Sequence, residues 1–124
     1  MITSVNSTVC VVDPTPDDYR GLIDSASDQK NETHFEFVRS GRDALRFNAR
    51  SDPDLWIINM KLPDMSGVDL QEMIHTRYPG VPCYLVGDDY RPEDEIDARQ
   101  GGATMYFCKP LRSEWVLSTS NNEK

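Results

Sequence analysis

Four short apolar runs punctuate the chain: VCVV at 9–12, LWII at 55–58, CYLV at 83–86 and MYFC at 105–108. Each is continuous, not alternating, as in strands covered on both faces by helices. A fifth run, THFEFV at 33–38, alternates apolar and polar residues and reads as an edge strand. Helix signals fill the gaps between runs. Thr15 stands as N-cap before Pro16, with Asp17 and Asp18 facing the positive helix end. Ser40 precedes Asp43 by three residues and Ser66 precedes Asp69 by three, two capping-box patterns with Asp replacing Glu. Pro92 and a run of acids open a further helix that Gly101 and Gly102 close. A short last helix begins at Ser113, and from Ser118 onward the chain turns polar. Strand then helix, repeated five times with short connections, predicts a doubly wound (βα)5 α/β sandwich of three layers around a parallel five-stranded sheet. Residues 1–117 form its one domain, and 118–124 are a polar tail.

Composition narrows the partners. Hydrophobic residues make up 38% and charged residues 27%, enough for a single core. A formal net charge of −8 repels nucleic acid from most of the surface. No run approaches membrane-spanning length, and the opening MITSVNST lacks the basic start and apolar stretch of a secretory signal, so a cytoplasmic protein without membrane contact is expected. Cys10, Cys83 and Cys108 each lie inside an apolar run without metal-ligand spacing, which predicts buried, reduced thiols. The glycines form no phosphate-binding fingerprint.

The chemistry lies at the strand ends. The first strand ends at Asp13, the third at Asn59, the fourth at Gly87 and the fifth at Lys109-Pro110. In a doubly wound sheet these ends converge on one crevice. An acid and a lysine there suit an ion pair between strand ends, an anion site or acid–base work. The amide of Asn59, where sites of this build so often need a carboxylate, asks for an explanation.

CVVD at 10–13, PDLWIINMKLPDMSGVDL at 53–70 and ARQGGATMYFCKP at 98–110 together resemble the response-regulator receiver domain, the flavodoxin-like module of two-component signalling. The resemblance runs from about Val9 to about Val116 and implies sheet order 2-1-3-4-5. It implies that an aspartate ending strand three becomes an acyl phosphate, that two acids ending strand one hold Mg²⁺ with it, and that a hydroxyl residue and a lysine grip the phosphoryl oxygens. Asp13 and Lys109 keep two of these positions. Pro14 replaces the second acid, Asn59 the phosphoacceptor and Gly87 the hydroxyl residue. Tyr106 falls on the aromatic whose inward or outward rotamer reports activation.

A carboxamide is a poor nucleophile, so Asn59 cannot form the acyl phosphate. With Asp13 and Lys109 cancelling, the crevice is expected neutral, with no cofactor and with Mg²⁺ binding lost. Two readings stand for Asp88 and Asp89, bending back to rebuild an acidic pocket or, the one preferred, solvated loop acids; Asp64 reads as a surface acid over a substitute acceptor, and Tyr106 as half-buried with its hydroxyl at the surface. The expectation is therefore a non-enzymatic pseudo-receiver that acts by protein contact. Its partner is a signalling protein or a second copy, met through helix four, strand five and helix five with Tyr106 and Trp115 on the face. The rival readings are a working phosphoacceptor with atypical residues and a small-molecule binder in the crevice.

Overall fold

The apolar runs become the sheet. A computed structural model of the protein describes residues 6–27, 32–47, 52–113 and 115–116. In chain order these hold β1 (Asn6–Val12), a 3-10 turn (Pro16–Tyr19), α1 (Arg20–Ser27), β2 (Glu32–Val38), α2 (Gly41–Arg46), β3 (Leu55–Asn59), α3 (Gly67–Arg77), β4 (Cys83–Gly87), α4 (Pro92–Gln100) and β5 (Met105–Cys108). The strands are all parallel, in the order β2-β1-β3-β4-β5. The alternating run is thus an edge strand, and the continuous runs of β3 and β4 are buried along their whole length. Ser113, Trp115 and Val116 adopt helical backbone. The extent of that last helix and the tail at 118–124 lie outside the described residues.

The period-two geometry of the strands divides the core in two. Cys10, Val12, Trp56, Ile58 and Leu85 face Ala44 of α2, Leu70 and Ile74 of α3 and Ala98 of α4. Val9, Val11, Ile57, Tyr84 and Val86 face Tyr19, Leu22 of α1 and Val116. Trp56 is fully buried, its ring 6.2 Å from Phe47 and 5.8 Å from Tyr78. Cys10 and Cys83 are buried and burial pushes both thiols up to about 12, whereas Cys108 is only partly covered, a departure from the expectation for that residue. Among the described residues, no helix is long and apolar enough to cross a membrane.

The serine caps form: the Ser40 and Ser66 side chains accept from the backbone amides of Asp43 and Asp69 at 3.1 and 3.0 Å. The Thr15 cap does not. Residues 16–19 wind as a 3-10 turn, the α-helix starts only at Arg20, and the Thr15 hydroxyl turns to carboxylates instead. Asp64 is exposed but structural, accepting from the amides of Gly41 and Arg42 at 2.9 Å each and so holding the loop after β3 against the start of α2.

Gly67 starts α3 directly against the end of β3: a Cβ there would sit 2.2 Å from the Asn59 carbonyl oxygen and 3.0 Å from Met60 Cα. Gly21 in α1 has nothing within 4 Å of the same position. Gly67→Ala should therefore destabilise the domain by about 2 kcal/mol or more through backbone displacement. Gly21→Ala should leave it unchanged or stabilise it by a few tenths of a kcal/mol, roughly the helix-propensity gain near a helix start. Urea unfolding midpoints of the two variants check both.

Candidate functional site

Register brings the strand ends into one row. Val12 lies beside Ile58, Asn59 beside Val86 and Gly87 beside Cys108, so Asp13, Asn59, Gly87 and Lys109 share one edge of the sheet. Backbone bonds fix the flanks: Asp13 N–H to the Val38 carbonyl at 3.0 Å, and Lys109 N–H to the Gly87 carbonyl at 3.0 Å. The Lys109-Pro110 peptide is cis.

At the centre is the Lys109 ammonium. Nζ lies 2.9 Å from Asp13 Oδ2, 2.8 Å from Asp18 Oδ2 and 3.0 Å from Asp88 Oδ1. Three carboxylates match its three N–H donors. Thr15 Oγ1 approaches at 3.2 Å and the Tyr19 ring face at 5.6 Å. The Lys109 side chain is 11% exposed, that of Asp13 is wholly enclosed, and those of Asp18 and Asp88 remain half-open at the rim.

Asp13 is saturated. Its Oδ1 accepts from the Thr15 amide and lies 2.8 Å from the Thr15 hydroxyl, while Oδ2 accepts from the Tyr19 hydroxyl at 2.8 Å, Asn59 Nδ2 at 2.9 Å and Lys109. Burial alone would raise this carboxyl, but the donors from Asn59, Thr15, Lys109 and Tyr19 together outweigh it and hold it below the usual carboxylate range. Burial likewise acts to lower Lys109, and the three carboxylates overcome it to push the ammonium above its ordinary value. The Tyr19 hydroxyl, buried against Asp13, is driven far upward and stays protonated. Asn59 is fully engaged: Nδ2 donates to Asp13 and, at 3.1 Å, to Asp88 Oδ1, while Oδ1 accepts from the Lys61 amide at 2.8 Å.

Two expectations need correction. The crevice is not neutral, because Asp18 and Asp88 join Asp13 around a single lysine. Nor is Asp88 a purely solvated loop acid; it turns back onto Asn59 and Lys109. Asp88 had a signal in the sequence, since it directly follows the end of β4 at Gly87. Asp18 had none, because its position depends on the 3-10 winding of the turn.

The donor set does not fit a divalent cation. Pro14 has no side-chain oxygen, both oxygens of Asp13 are already satisfied, and all three carboxylates point at the same ammonium. Among the described residues no group of three or more His, Cys, Asp and Glu side chains is placed to hold a metal ion. Lys109 Nζ itself is the cation of this site. The adjacent cavity, lined by Asn59, Lys61, Gly87, Asp88, Arg91 and Asp94 among others, holds about 160 Å³, well short of the roughly 300 Å³ at which small-molecule pockets begin.

Gly87 and Tyr106 interlock. A Cβ at Gly87 would lie 2.6 Å from the Tyr106 hydroxyl oxygen. Tyr106 is 8% exposed and its hydroxyl sits within 3.8 Å of Cys108 Sγ; burial pushes it up to about 12. Tyr106 is thus an interior residue with its hydroxyl turned inward, not the half-buried, surface-tipped residue expected. Trp115 is half-buried, its ring stacking on Phe107 at 4.6 Å, and Val116 is 3% exposed. The exposed large apolar side chains among the described residues are Met73, Tyr90, Ile96 and Met105.

A parallel five-stranded sheet in this order, with helices on both faces and its polar residues at the strand ends, is the flavodoxin-like arrangement. Residues 9–120 match the family model of the response regulator receiver domain, and the chain belongs to that family: a receiver domain of two-component signalling, a signalling module and not an enzyme. Similar relatives are the regulatory protein LuxO of Vibrio cholerae, 31% identical over 85 residues (68% of this chain, 19% of LuxO), and the probable transcriptional regulatory protein TcrX of Mycobacterium tuberculosis, 32% identical over 77 residues (62% and 33%). The chain therefore spans only a minor part of these curated relatives. Among solved structures, a CheY-like receiver domain protein from Methanospirillum hungatei superposes with a TM-score of 0.77 at 21% identity, covering 93% of this chain and 90% of that one. The receiver domain of a putative LuxO repressor from Vibrio parahaemolyticus also gives 0.77, at 24% identity with 93% and 87% covered. Both share the fold.

The lysine cluster predicts an asymmetric pair of variants. Lys109→Met leaves Asp13 buried without its cation and should destabilise by ~3–5 kcal/mol at neutral pH. Asp13→Asn leaves Lys109 still facing Asp18 and Asp88 and should be milder, and the double variant should lose less than the two single losses combined. Asp13 is lowered in the folded state, so its contribution is present above its unfolded value of roughly 3.9 and is lost as pH falls through the folded value. The deficit of Lys109→Met should accordingly shrink on acidification, because a protonated Asp13 no longer requires the ammonium. Urea midpoints of the wild type and the three variants, followed from pH 7 downward, test the scheme; parallel curves throughout would show a merely solvated pair.

Proposed function

We propose that this receiver domain is a pseudo-receiver: it takes no phosphoryl group and signals by protein–protein contact from one resting conformation. The observation that carries the reading is the engagement of every atom that phosphorylation would use. Asn59 has no nucleophilic oxygen, and both ends of its amide are hydrogen-bonded. Lys109, which would grip a phosphoryl oxygen, is held by three carboxylates. An incoming dianion would have to displace Asp88 and Asp18 and then sit beside Asp13, against like charge.

In this reading the switch is fixed by sequence. A ligand shifts an equilibrium only by its differential affinity for two states, and a crevice that takes no phosphoryl group supplies none. Gly87 opens the space that the Tyr106 hydroxyl enters, and the Tyr90 ring lies 6.1 Å from that of Tyr106. The inward Tyr106 therefore holds the loop between β4 and α4 in one arrangement, and the surface of α4 and β5 is presented permanently. Absence of nucleic acid and membrane partners follows from the acidic surface in the same reading.

Treatment of the chain with acetyl phosphate and Mg²⁺ should leave its intact mass unchanged. Asn59→Asp alone should also gain nothing, since Pro14 still supplies no metal ligand; Asn59→Asp with Pro14→Asp and Gly87→Thr is the combination expected to accept the group. A phosphoryl mass gain on the unmodified chain, mapped to the strand ends, would sink the proposal. Separately, Gly87→Thr should expel Tyr106 from its inward position, read as a changed ring environment for Tyr106 and Tyr90 in proton NMR. Unchanged ring signals would show that the glycine does not set that rotamer.

A further inference from the structure

Asp88 differs from the other acids of the crevice in what it joins. Its Oδ1 accepts from Asn59 Nδ2 at 3.1 Å and lies 3.0 Å from Lys109 Nζ. One donor comes from the end of β3 and the other from beyond β5, and the acceptor enters between them from the end of β4. Asp13 and Asp18 hold the same ammonium from β1 and the turn after it. With its side chain 64% exposed, Asp88 is the most open of the three. The backbone delivers it by a tight fold. A Cβ at Gly87 would lie 2.9 Å from the Asp89 carbonyl oxygen, so the chain turns back over Gly87 as it leaves β4. Two residues on, the Tyr90 ring lies 6.1 Å from that of Tyr106, and its hydroxyl donates to Glu95 Oε1 at 2.9 Å. Arg91 then precedes α4 without capping its first turn through the side chain. The loop at 88–91, not a cap, therefore sets how α4 begins.

We propose that Asn59 Nδ2 and Lys109 Nζ form a carboxylate-binding site that the chain fills with its own Asp88, and that this built-in ligand fixes the loop at 88–91 and, through it, the inward Tyr106. Self-occupation of this kind rests on the proposed reading of the crevice as closed to phosphoryl groups, and it names what takes their place and what that occupant controls. A monocarboxylate is the class that fits. One neutral and one cationic N–H donor converge on a single anionic oxygen. A monoanion reproduces the charge that Asp88 supplies, whereas a dianion adds repulsion from Asp13 and Asp18. Tethering favours the internal ligand. A side chain held on the neighbouring strand end has an effective concentration on the order of millimolar or above, so dilute free carboxylates do not displace it. Without its carboxylate, the same two donors become open to one from solution.

Asp88→Ala removes the ligand and leaves both donors. The variant should stay folded by circular dichroism, because Asp13 and Asp18 still hold Lys109. Its Tyr90 and Tyr106 ring resonances should depart from those of the unaltered chain. Sodium formate is then the probe. It should return those resonances saturably toward their original positions, half-complete at about 1 mM or weaker, the ceiling for a ligand of about three non-hydrogen atoms. Sodium chloride at equal ionic strength should not, and the unaltered chain should not respond to formate over the same range. Adding Asn59→Ala to the variant should weaken formate about tenfold, the scale of one lost charge-assisted hydrogen bond. Ring signals in Asp88→Ala identical to those of the unaltered chain would overturn the proposal, as would an unfolded variant, since a rim carboxylate is argued to set a loop and not the fold. So would restoration by chloride, formate affinity that ignores Asn59, or no return at any formate concentration short of those that shift the unaltered chain. Intact mass of the unaltered chain after acetyl phosphate and Mg²⁺ separates the two readings. Phosphoryl uptake together with formate rescue of the variant removes the silent crevice and keeps the built-in ligand; no uptake and no rescue removes the built-in ligand alone.

Discussion

One ammonium organises this domain. Lys109 Nζ is where the ends of β1, β4 and β5 and the turn after β1 meet, because Asp13, Asp88 and Asp18 each place a carboxylate oxygen within 3.0 Å of it. A buried charge is tolerated only when it is paired and its hydrogen-bonding capacity is filled. Here both conditions are met without an external ion: three donors meet three acceptors, and the innermost acceptor, Asp13, has its own oxygens filled by Thr15, Tyr19 and Asn59. The amide of Asn59 belongs to this arrangement. A carboxylate in its place would add a fourth negative charge and remove the Nδ2 donor that Asp13 and Asp88 share.

The same arrangement separates acidity from metal binding. Counting charges alone, three carboxylates and one lysine give a net negative crevice of the kind that recruits a divalent cation. Geometry decides otherwise. Carboxylates that converge on an ammonium cannot converge on a second cation without giving up the first, and the ammonium is covalently tethered to the sheet. An intramolecular cation is always present, so occupancy of the crevice by positive charge does not depend on the concentration of a dissolved ion.

Crevice and outer surface are linked through short steps. Asn59 and Lys109 hold Asp88, the first residue of the loop after β4; Tyr90, two residues on, lies against Tyr106 and bonds Glu95 of α4. Gly87 at the root of that loop leaves room for the Tyr106 hydroxyl. In a packed interior such contacts favour discrete arrangements over gradual ones. A loop tied at both its first residue and its aromatic has one arrangement favoured by several bonds.

Much of this was legible in the residues alone. Continuous apolar runs at 9–12, 55–58 and 83–86 mark strands buried along their length; the run at 105–108 marks a strand but not its cover, because β5 is the second edge of the sheet and Met105 is 39% exposed. The alternation at 33–38 determines an edge. Strand order aside, these runs also fix which residues end the strands, and that places Asp13, Asn59, Gly87 and Lys109 in one crevice. What the tertiary structure decided lies in the connections. Asp18 reaches Lys109 because the turn winds as 3-10 where the Thr15-Pro16 signal pointed to an α-helix, and Asp88 because its loop folds inward. Tyr106 turns in because Gly87 leaves a space, and Val116 is covered because its helix lies on the sheet. Periodicity records which side of an element faces the core; it carries no information about where a loop carboxylate comes to rest. That is set by the nearest unsatisfied charge, and the charge is in place only once the strands have come together.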